Sequence, residues 1–121
     1  DGWDGVQNNF AAATEGALFA SQYASDDTSE IVQNFIKTYK AKYSKDPDLF
    51  AALGYDTGSI LINALKGAKD LTGDGIKDAL KGTNLDLVTG KMSFDENNDP
   101  KKIATIIEVK GGKLILKEKS E

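Results

Sequence analysis

Three acidic stretches of the sequence carry residue types that could do chemistry. Asp4 stands between Trp3 and Gly5, and a carboxylate beside an aromatic ring is suited to hold an ammonium group. Asp56 is followed by Thr57 and further small residues, a pattern compatible with acid–base work by paired carboxylates. Residues 95–99 place oxygen-bearing side chains at alternate positions, as the first half of a calcium loop does.

The surroundings of the last two stretches favour structural roles. The string Asp56-Thr57-Gly58-Ser59 resembles the active-site string of aspartic proteases, but it lies inside residues 49–66, whose apolar side chains recur with helical spacing. A protease needs this string in a loop. After residues 95–99, the glycine of a calcium loop is replaced by Pro100 and its last glutamate by Ile106. We therefore predict a helical Asp56, a plain polar turn, no catalytic residue and no metal site.

Composition removes several kinds of site from these 121 residues. The chain has no His and no Cys, and all of its 15 basic residues are Lys. It therefore lacks the partners for a Ser-His-Asp or Cys-His pair, the usual zinc ligands and the bidentate arginine clamp for phosphate. A net charge of −4, with lysines scattered among apolar and acidic residues, argues against nucleic acid as a partner.

Periodicity predicts an α/β chain. Residues 17–23 have the length and composition of a buried strand, and a helix is expected to begin near Val6. Further helices are predicted over about 27–43, 49–66 and 73–81. From residue 88 the period changes to two, and the segments 103–109 and 113–117 predict a terminal β-hairpin. Because so few strands do not complete a parallel sheet covered on both faces, we expect the chain to belong to a larger α/β protein.

The same spacing predicts caps and buried faces. Asp27 and Glu30 have the spacing of a capping box at the start of the helix over 27–43. The buried stripe predicted for that helix consists of Ile31, Val32, Phe35, Ile36, Tyr39 and Tyr43. The stripe predicted for residues 49–66 consists of Leu53, Thr57, Ile60, Leu61, Ala64 and Leu65.

Three segments, taken in order, resemble one family. They are GWDGV at 2–6, which opens the sequence without an initiator methionine, LFAALGYD at 49–56 and GKMSFDENND at 90–99. Their order and spacing are similar to the C-terminal third of the type I periplasmic binding proteins, which capture branched-chain and related amino acids for ABC transporters. The resemblance implies a fold of two Rossmann-like lobes, of which this chain is expected to be a C-terminal fragment that ends in the hairpin.

The resemblance also implies an arrangement and partners. Residues 1–22 are expected in the second lobe, 23–99 in the first lobe and 100–121 in the second lobe again. The implied partners are a small-molecule amino acid, the N-terminal remainder of the same protein and an ABC permease in the membrane, with no cofactor. The implied location is periplasmic or extracellular, and attachment to the membrane as a lipoprotein is compatible with it. Alone, the chain is expected to aggregate or to form an exchanged homodimer.

Three site residues follow from the resemblance, and each has a structural alternative. Asp4 is expected to pair with the α-ammonium of an amino acid bound between the lobes; alternatively it caps the helix near Val6. Trp3 is expected to shape the same pocket, or else it serves simple packing. Phe50 is expected to contact the ligand side chain from the opposite lobe, and its alternative is a core position at a helix entrance.

Two other functions stay open beside this non-enzymatic, amino-acid-binding one. A homodimeric aspartic protease-like enzyme around Asp56-Thr57-Gly58 would be dominated by β-structure, whereas the binding protein would be rich in helix. A small interaction domain without a ligand would fold as a stable monomer and bind no amino acid.

Overall fold

The structure, a computed structural model, describes residues 2–120. Its helices are α1 (Gln7–Thr14), α2 (Glu30–Tyr43), α3 (Leu49–Gly67) and α4 (Gly73–Lys81). Its strands are β1 (Leu18–Ser21), β2 (Asn84–Leu87), β3 (Gly90–Phe94), β4 (Pro100–Lys102), β5 (Ala104–Lys110) and β6 (Lys113–Ser120). The predicted α/β class is confirmed. None of the helices between residues 2 and 120 combines the length and apolarity needed to cross a bilayer.

The chain forms two compact units. The first unit contains the residues up to Leu49 and those from Ile103 onward, and the second unit is Phe50–Lys102. The assignment of residues 1–22, 23–99 and 100–121 to two lobes stays a prediction. Its outermost positions, 1 and 121, lie outside the described residues.

The first unit is built on an antiparallel sheet in the order β1-β5-β6. Burial alternates along β1, so Phe19 and Ser21 lie on its covered face. The predicted terminal hairpin is confirmed, and its turn uses Gly111 and Gly112, both with positive φ. The core of this unit is formed by Phe19, Ala24, Ile107 and Val109, against which Val6, Ala17, Leu114 and Leu116 pack.

Three carboxylates attach the hairpin to the rest of the first unit. The Glu15 carboxylate accepts from the backbone N–H of Gly111 at 2.9 and 3.1 Å. The Asp26 carboxylate accepts from the N–H of Leu116 at 3.0 and 3.1 Å. The Asp27 carboxylate pairs with the ammonium of Lys119. Because β6 is an edge of the sheet, these contacts order a strand that has a neighbour on one side only.

The start of α2 differs from the prediction, and its predicted buried stripe is confirmed in part. Its N-cap is Ser29, and Asp27 accepts from the backbone N–H of Ser29 at 2.9 Å, so the predicted capping box is wrong. Its buried residues, Val32 and Phe35, both belong to the predicted stripe, whereas the stripe members Ile31 and Tyr43 are exposed. The ring of Tyr23, at 6.3 Å and nearly perpendicular to that of Phe35, fixes which face of the helix is covered.

The buried stripe predicted for α3 is confirmed at Ala64, and Leu53 and Ile60 are partly buried, but most of the covered face differs. Its buried residues are Ala52, Asp56 and Ala64, and only Ala64 belongs to the predicted stripe. Leu61 and Leu65 are exposed. The covered face of α3 includes the carboxylate of Asp56. A prediction from the spacing of apolar residues could not find this face, because it counts a charged residue as exposed.

The second unit pairs its strands in the order β2-β3-β4, all antiparallel. The sequence did not predict β2, whose Leu85 and Leu87 begin the two-residue period before residue 88. Helix α4 has the predicted bounds. Its N-cap is Thr72, whose hydroxyl accepts from the N–H of Gly75 at 3.1 Å.

Candidate ligand-binding site

Asp4 lies in a tight turn that leads into α1. The N–H of Val6 donates to the carbonyl of Trp3 at 3.0 Å, which closes the turn. Gly5 has φ +92°, a conformation in which residues with a Cβ are strained. This turn places Trp3 and Asp4 next to each other outside any helix or strand.

The Asp4 carboxylate is tied to the end of β1. Ser21, the last residue of β1, is 8% exposed and donates from its hydroxyl to Asp4 Oδ1 at 3.1 Å. The capping alternative for Asp4 fails, because the N-cap of α1 is Val6 and no side-chain cap is formed there. Asp4 therefore lies beyond the carboxyl end of β1.

The Trp3 ring contacts the same strand two residues earlier. Its centroid lies 6.4 Å from that of Phe19 with an interplanar angle of 39°. The Trp3 side chain keeps 46% of its surface exposed, whereas Phe19 belongs to the core. Trp3 therefore packs against the unit and leaves nearly half of its surface free, in the residue that precedes Asp4.

No cation of the described chain neutralises Asp4. Several other carboxylates have a lysine partner between residues 2 and 120: Asp27, Asp46, Asp74 and Glu108. Ser21 is the one donor to the Asp4 side chain in the described part of the chain. The negative charge of Asp4 and its second carboxylate oxygen are thus available to a cationic group that does not belong to residues 2–120.

Phe50 belongs to the second unit. It occupies the first turn of α3 and is 77% exposed. The alternative of a core phenylalanine is therefore not realised among the described residues. A large ring this exposed, at the entrance of a rigid helix, is suited to an apolar contact with a partner or ligand.

The Asp56 string lies within α3, as predicted. The Thr57 and Ser59 hydroxyls donate to carbonyls four residues earlier, those of Leu53 and Tyr55, at 2.8 and 2.9 Å. Asp56 itself is 3% exposed and accepts hydrogen bonds from the β2–β3 turn. Without a loop or a free carboxylate, this string has no geometry for proteolysis.

The polar turn after β3 is also confirmed. Asp95 Oδ1 accepts from the N–H groups of Asn97 and Asp99 at 2.8 and 2.9 Å, so the carboxylate closes the turn. No cluster of three or more potential metal-ligating side chains occurs among residues 2–120.

Sequence reasoning missed Ser21 as a member of the site. A serine at the end of a short buried strand carries a weak signal, because its use depends on which loop returns to that strand. Tyr23, two residues after Ser21, is buried and lies near the acidic segment after α2. Burial, with the charges of Asp46 and Asp48, raises the pKa of Tyr23 to about 12.

Comparison with known proteins gives the family. A family model described as periplasmic binding protein matches residues 2–113. The substrate binding protein LivJ of the branched-chain amino acid transporter from Streptococcus pneumoniae, solved in complex with isoleucine, is 34% identical with a TM-score of 0.78. That match covers 99% of this chain and 35% of LivJ.

Two further solved structures are similar. The leucine binding protein LivK from Thermotoga maritima is 30% identical with a TM-score of 0.78, over 91% of this chain and 32% of LivK. A solute binding protein of an ABC transporter from Rhodopseudomonas palustris, in complex with 3,4-dihydroxybenzoic acid, is 27% identical with a TM-score of 0.80. The match covers 98% of this chain and 34% of the Rhodopseudomonas palustris protein.

These matches confirm the predicted type I periplasmic-binding-protein fold, of which this chain spans about a third of the length. The chain belongs to the periplasmic binding protein family.

Proposed function

We propose that this chain is part of the substrate-binding component of an ABC transporter and that the complete protein binds a branched-chain or similar aliphatic amino acid. The observation that carries the proposal is the Asp4 carboxylate, which is anchored to Ser21, follows Trp3 in the sequence and has no cationic partner within residues 2–120. A fixed carboxylate beside an aromatic ring complements an α-ammonium group. Two similar proteins support the ligand class, since one is named leucine binding and another was solved with isoleucine.

The three site residues have separate roles in this proposal. Asp4 pairs with the ligand ammonium, Trp3 forms an aromatic wall beside it, and Phe50 contacts the aliphatic side chain. The ligand carboxylate needs hydroxyl or N–H donors. Because this chain spans about a third of its relatives, we assign those donors to the remainder of the protein.

The proposed activity is capture and delivery without chemical change to the ligand. The complete protein would bind the amino acid outside the cytoplasm, in the periplasm or the extracellular space, and present it to the membrane permease. Lipoprotein attachment is one way to keep it at that membrane. Asp56 carries no catalysis in this scheme, since it is buried and hydrogen-bonded within the second unit.

The test uses the complete protein that contains this chain and isothermal titration calorimetry. Isoleucine, leucine and valine are compared with 3-methylpentanoate, which is isoleucine without its ammonium group, and with 3,4-dihydroxybenzoate. We expect isoleucine to bind and 3-methylpentanoate to bind about 100-fold more weakly, the range for removing one partner of a desolvated charge pair. Equal affinities for isoleucine and 3-methylpentanoate would show that the protein does not recognise the ammonium group. Binding of the aromatic acid alone, or of no ligand, would overturn the amino-acid proposal in favour of an aromatic-acid receptor or a ligand-free interaction domain.

A further inference from the structure

We infer that Ser21 is a positioning residue for ligand binding: its buried hydroxyl holds the Asp4 carboxylate in the orientation that receives the ligand ammonium. The inference rests on the proposed function of Asp4 and extends the site to a residue on β1.

The hydrogen bond joins the side chain of Asp4, which lies in a turn, to Ser21 on strand β1. Ser21 Oγ lies 3.1 Å from Asp4 Oδ1 and 3.5 Å from the carbonyl of Tyr23, so the shorter contact takes the single hydroxyl proton. All four residues of β1 pair with β5, which fixes the backbone that carries Ser21. Asp4 is exposed and lies in a turn, so this bond is what restricts its side-chain rotamer.

A second contact secures the same turn against the same strand. Trp3 packs on Phe19 and Asp4 bonds to Ser21, and these two strand residues lie two positions apart on one face of β1. Consecutive residues of the turn are thus anchored to alternate residues of the strand. A slip of the turn by one residue would break both contacts together.

The arrangement leaves one carboxylate oxygen for the ligand. Asp4 Oδ1 is engaged by Ser21, and Oδ2 receives no donor from residues 2–120. A carboxylate accepts several hydrogen bonds, and one that is already oriented loses less rotamer entropy when it binds an ammonium. Removing the Ser21 hydroxyl should therefore weaken amino-acid binding while the charge of Asp4 is unchanged.

The test compares Ser21→Thr with Ser21→Val in the complete protein. These two side chains have nearly the same shape and differ by the hydroxyl, so any strain from the added methyl groups is common to both. We expect isoleucine to bind the Val variant roughly 5- to 20-fold more weakly than the Thr variant, as for loss of a hydrogen bond to a charged group. Thermal melting of both variants checks that they are folded to the same extent.

Isoleucine binding is then measured for Ser21→Thr and Ser21→Val, each combined with Asp4→Ala, which removes the carboxylate that accepts the hydrogen bond. If Ser21 acts through Asp4, the difference between Thr and Val falls below about twofold in this background. A difference that persists without Asp4, or Thr and Val variants that bind equally well with Asp4 present, overturns the role of Ser21. If Asp4→Ala alone leaves isoleucine affinity unchanged, the proposed function of Asp4 fails, and the role of Ser21 falls with it.

Discussion

Asp56 on α3 and Thr89, in the turn between β2 and β3, are joined by two hydrogen bonds. Asp56 Oδ2 accepts from the Thr89 N–H at 2.8 Å and from the Thr89 hydroxyl at 2.7 Å, and Oδ1 accepts from the N–H of Val88 at 3.0 Å. Lys102 on β4 donates to the Thr89 hydroxyl. Burial lowers the pKa of Lys102, and the charge of Asp56 opposes that shift. The Asp56 carboxylate thus joins the helix to the turn, and the Thr89 hydroxyl links that turn to β4.

Asp56→Ala is expected to destabilise the complete protein by on the order of 3 kcal/mol. The substitution leaves the N–H groups of Val88 and Thr89, both in buried residues, without their acceptor. Ligand affinity should change by less than about 0.5 kcal/mol, because Asp56 is not a site residue in the proposed function. Urea unfolding and calorimetric titration measure the two quantities. Peptidase activity that this substitution abolishes would restore the protease hypothesis.

Element types were accessible from the sequence because local signals decide them. The helical spacing over residues 49–66 and the two-residue period of the terminal hairpin each act within a few residues. Buried faces were less accessible, since Asp56 is covered through contacts with residues more than thirty positions away.

In the candidate site too, the residue itself could be predicted from the sequence, whereas its long-range contact could not. Asp4 could be proposed from its neighbours and from the family resemblance. Its attachment to Ser21 spans 17 positions and depends on the turn at Gly5 returning to the end of β1. No pattern of a few neighbouring residues predicts that the turn at Gly5 brings Asp4 to Ser21.

Asp27→Asn is expected to alter the acid sensitivity of the protein. Burial by itself would raise the pKa of Asp27, but hydrogen bonds from Lys119 and Ser29 outweigh it and hold the pKa below its ordinary value of 3.8. The ionised carboxylate therefore contributes stability that is present above pH 3.8 and is lost as pH falls through the lower folded-state pKa. The difference in unfolding free energy between wild type and variant should be constant near neutrality and shrink below pH 3.8. Urea titrations at a series of pH values test this, and a difference that stays constant through the acid range would contradict it.

Gly75→Ala is expected to destabilise the second unit, whereas Gly73→Ala is not. A Cβ at Gly75 would overlap the carbonyl and carboxylate of Asp70, whereas a Cβ at Gly73 meets no atom within 4 Å. The Asp70 carboxylate accepts from the N–H and hydroxyl of Thr72, the N-cap of α4, so it is not free to move aside. The cost should be about 1 to 3 kcal/mol by urea unfolding. Equal stability of the two variants would show that the loop adjusts without loss.

The isolated 121-residue chain is expected to aggregate or to form an exchanged dimer. Helix α3 leaves five large side chains exposed, Phe50, Tyr55, Leu61, Ile62 and Leu65, and β1 lies at an edge of its sheet. Sedimentation velocity at micromolar concentration should show species larger than a monomer. A compact monomer that unfolds cooperatively would instead support an independent interaction domain.

Asp4→Asn in the complete protein is expected to weaken isoleucine binding by about 2 to 4 kcal/mol, the range for removing one partner of a desolvated charge pair. The substitution preserves the shape of the side chain and an oxygen that can accept from Ser21, so the lost charge is the main change. Asp78→Asn is the matched control, since Asp78 is also an exposed aspartate, lies on α4 and has no site role. Titration calorimetry should show the loss for Asp4 and unchanged affinity for Asp78. An equal effect of the two substitutions would assign the loss to net charge, and no effect of either would remove Asp4 from the site.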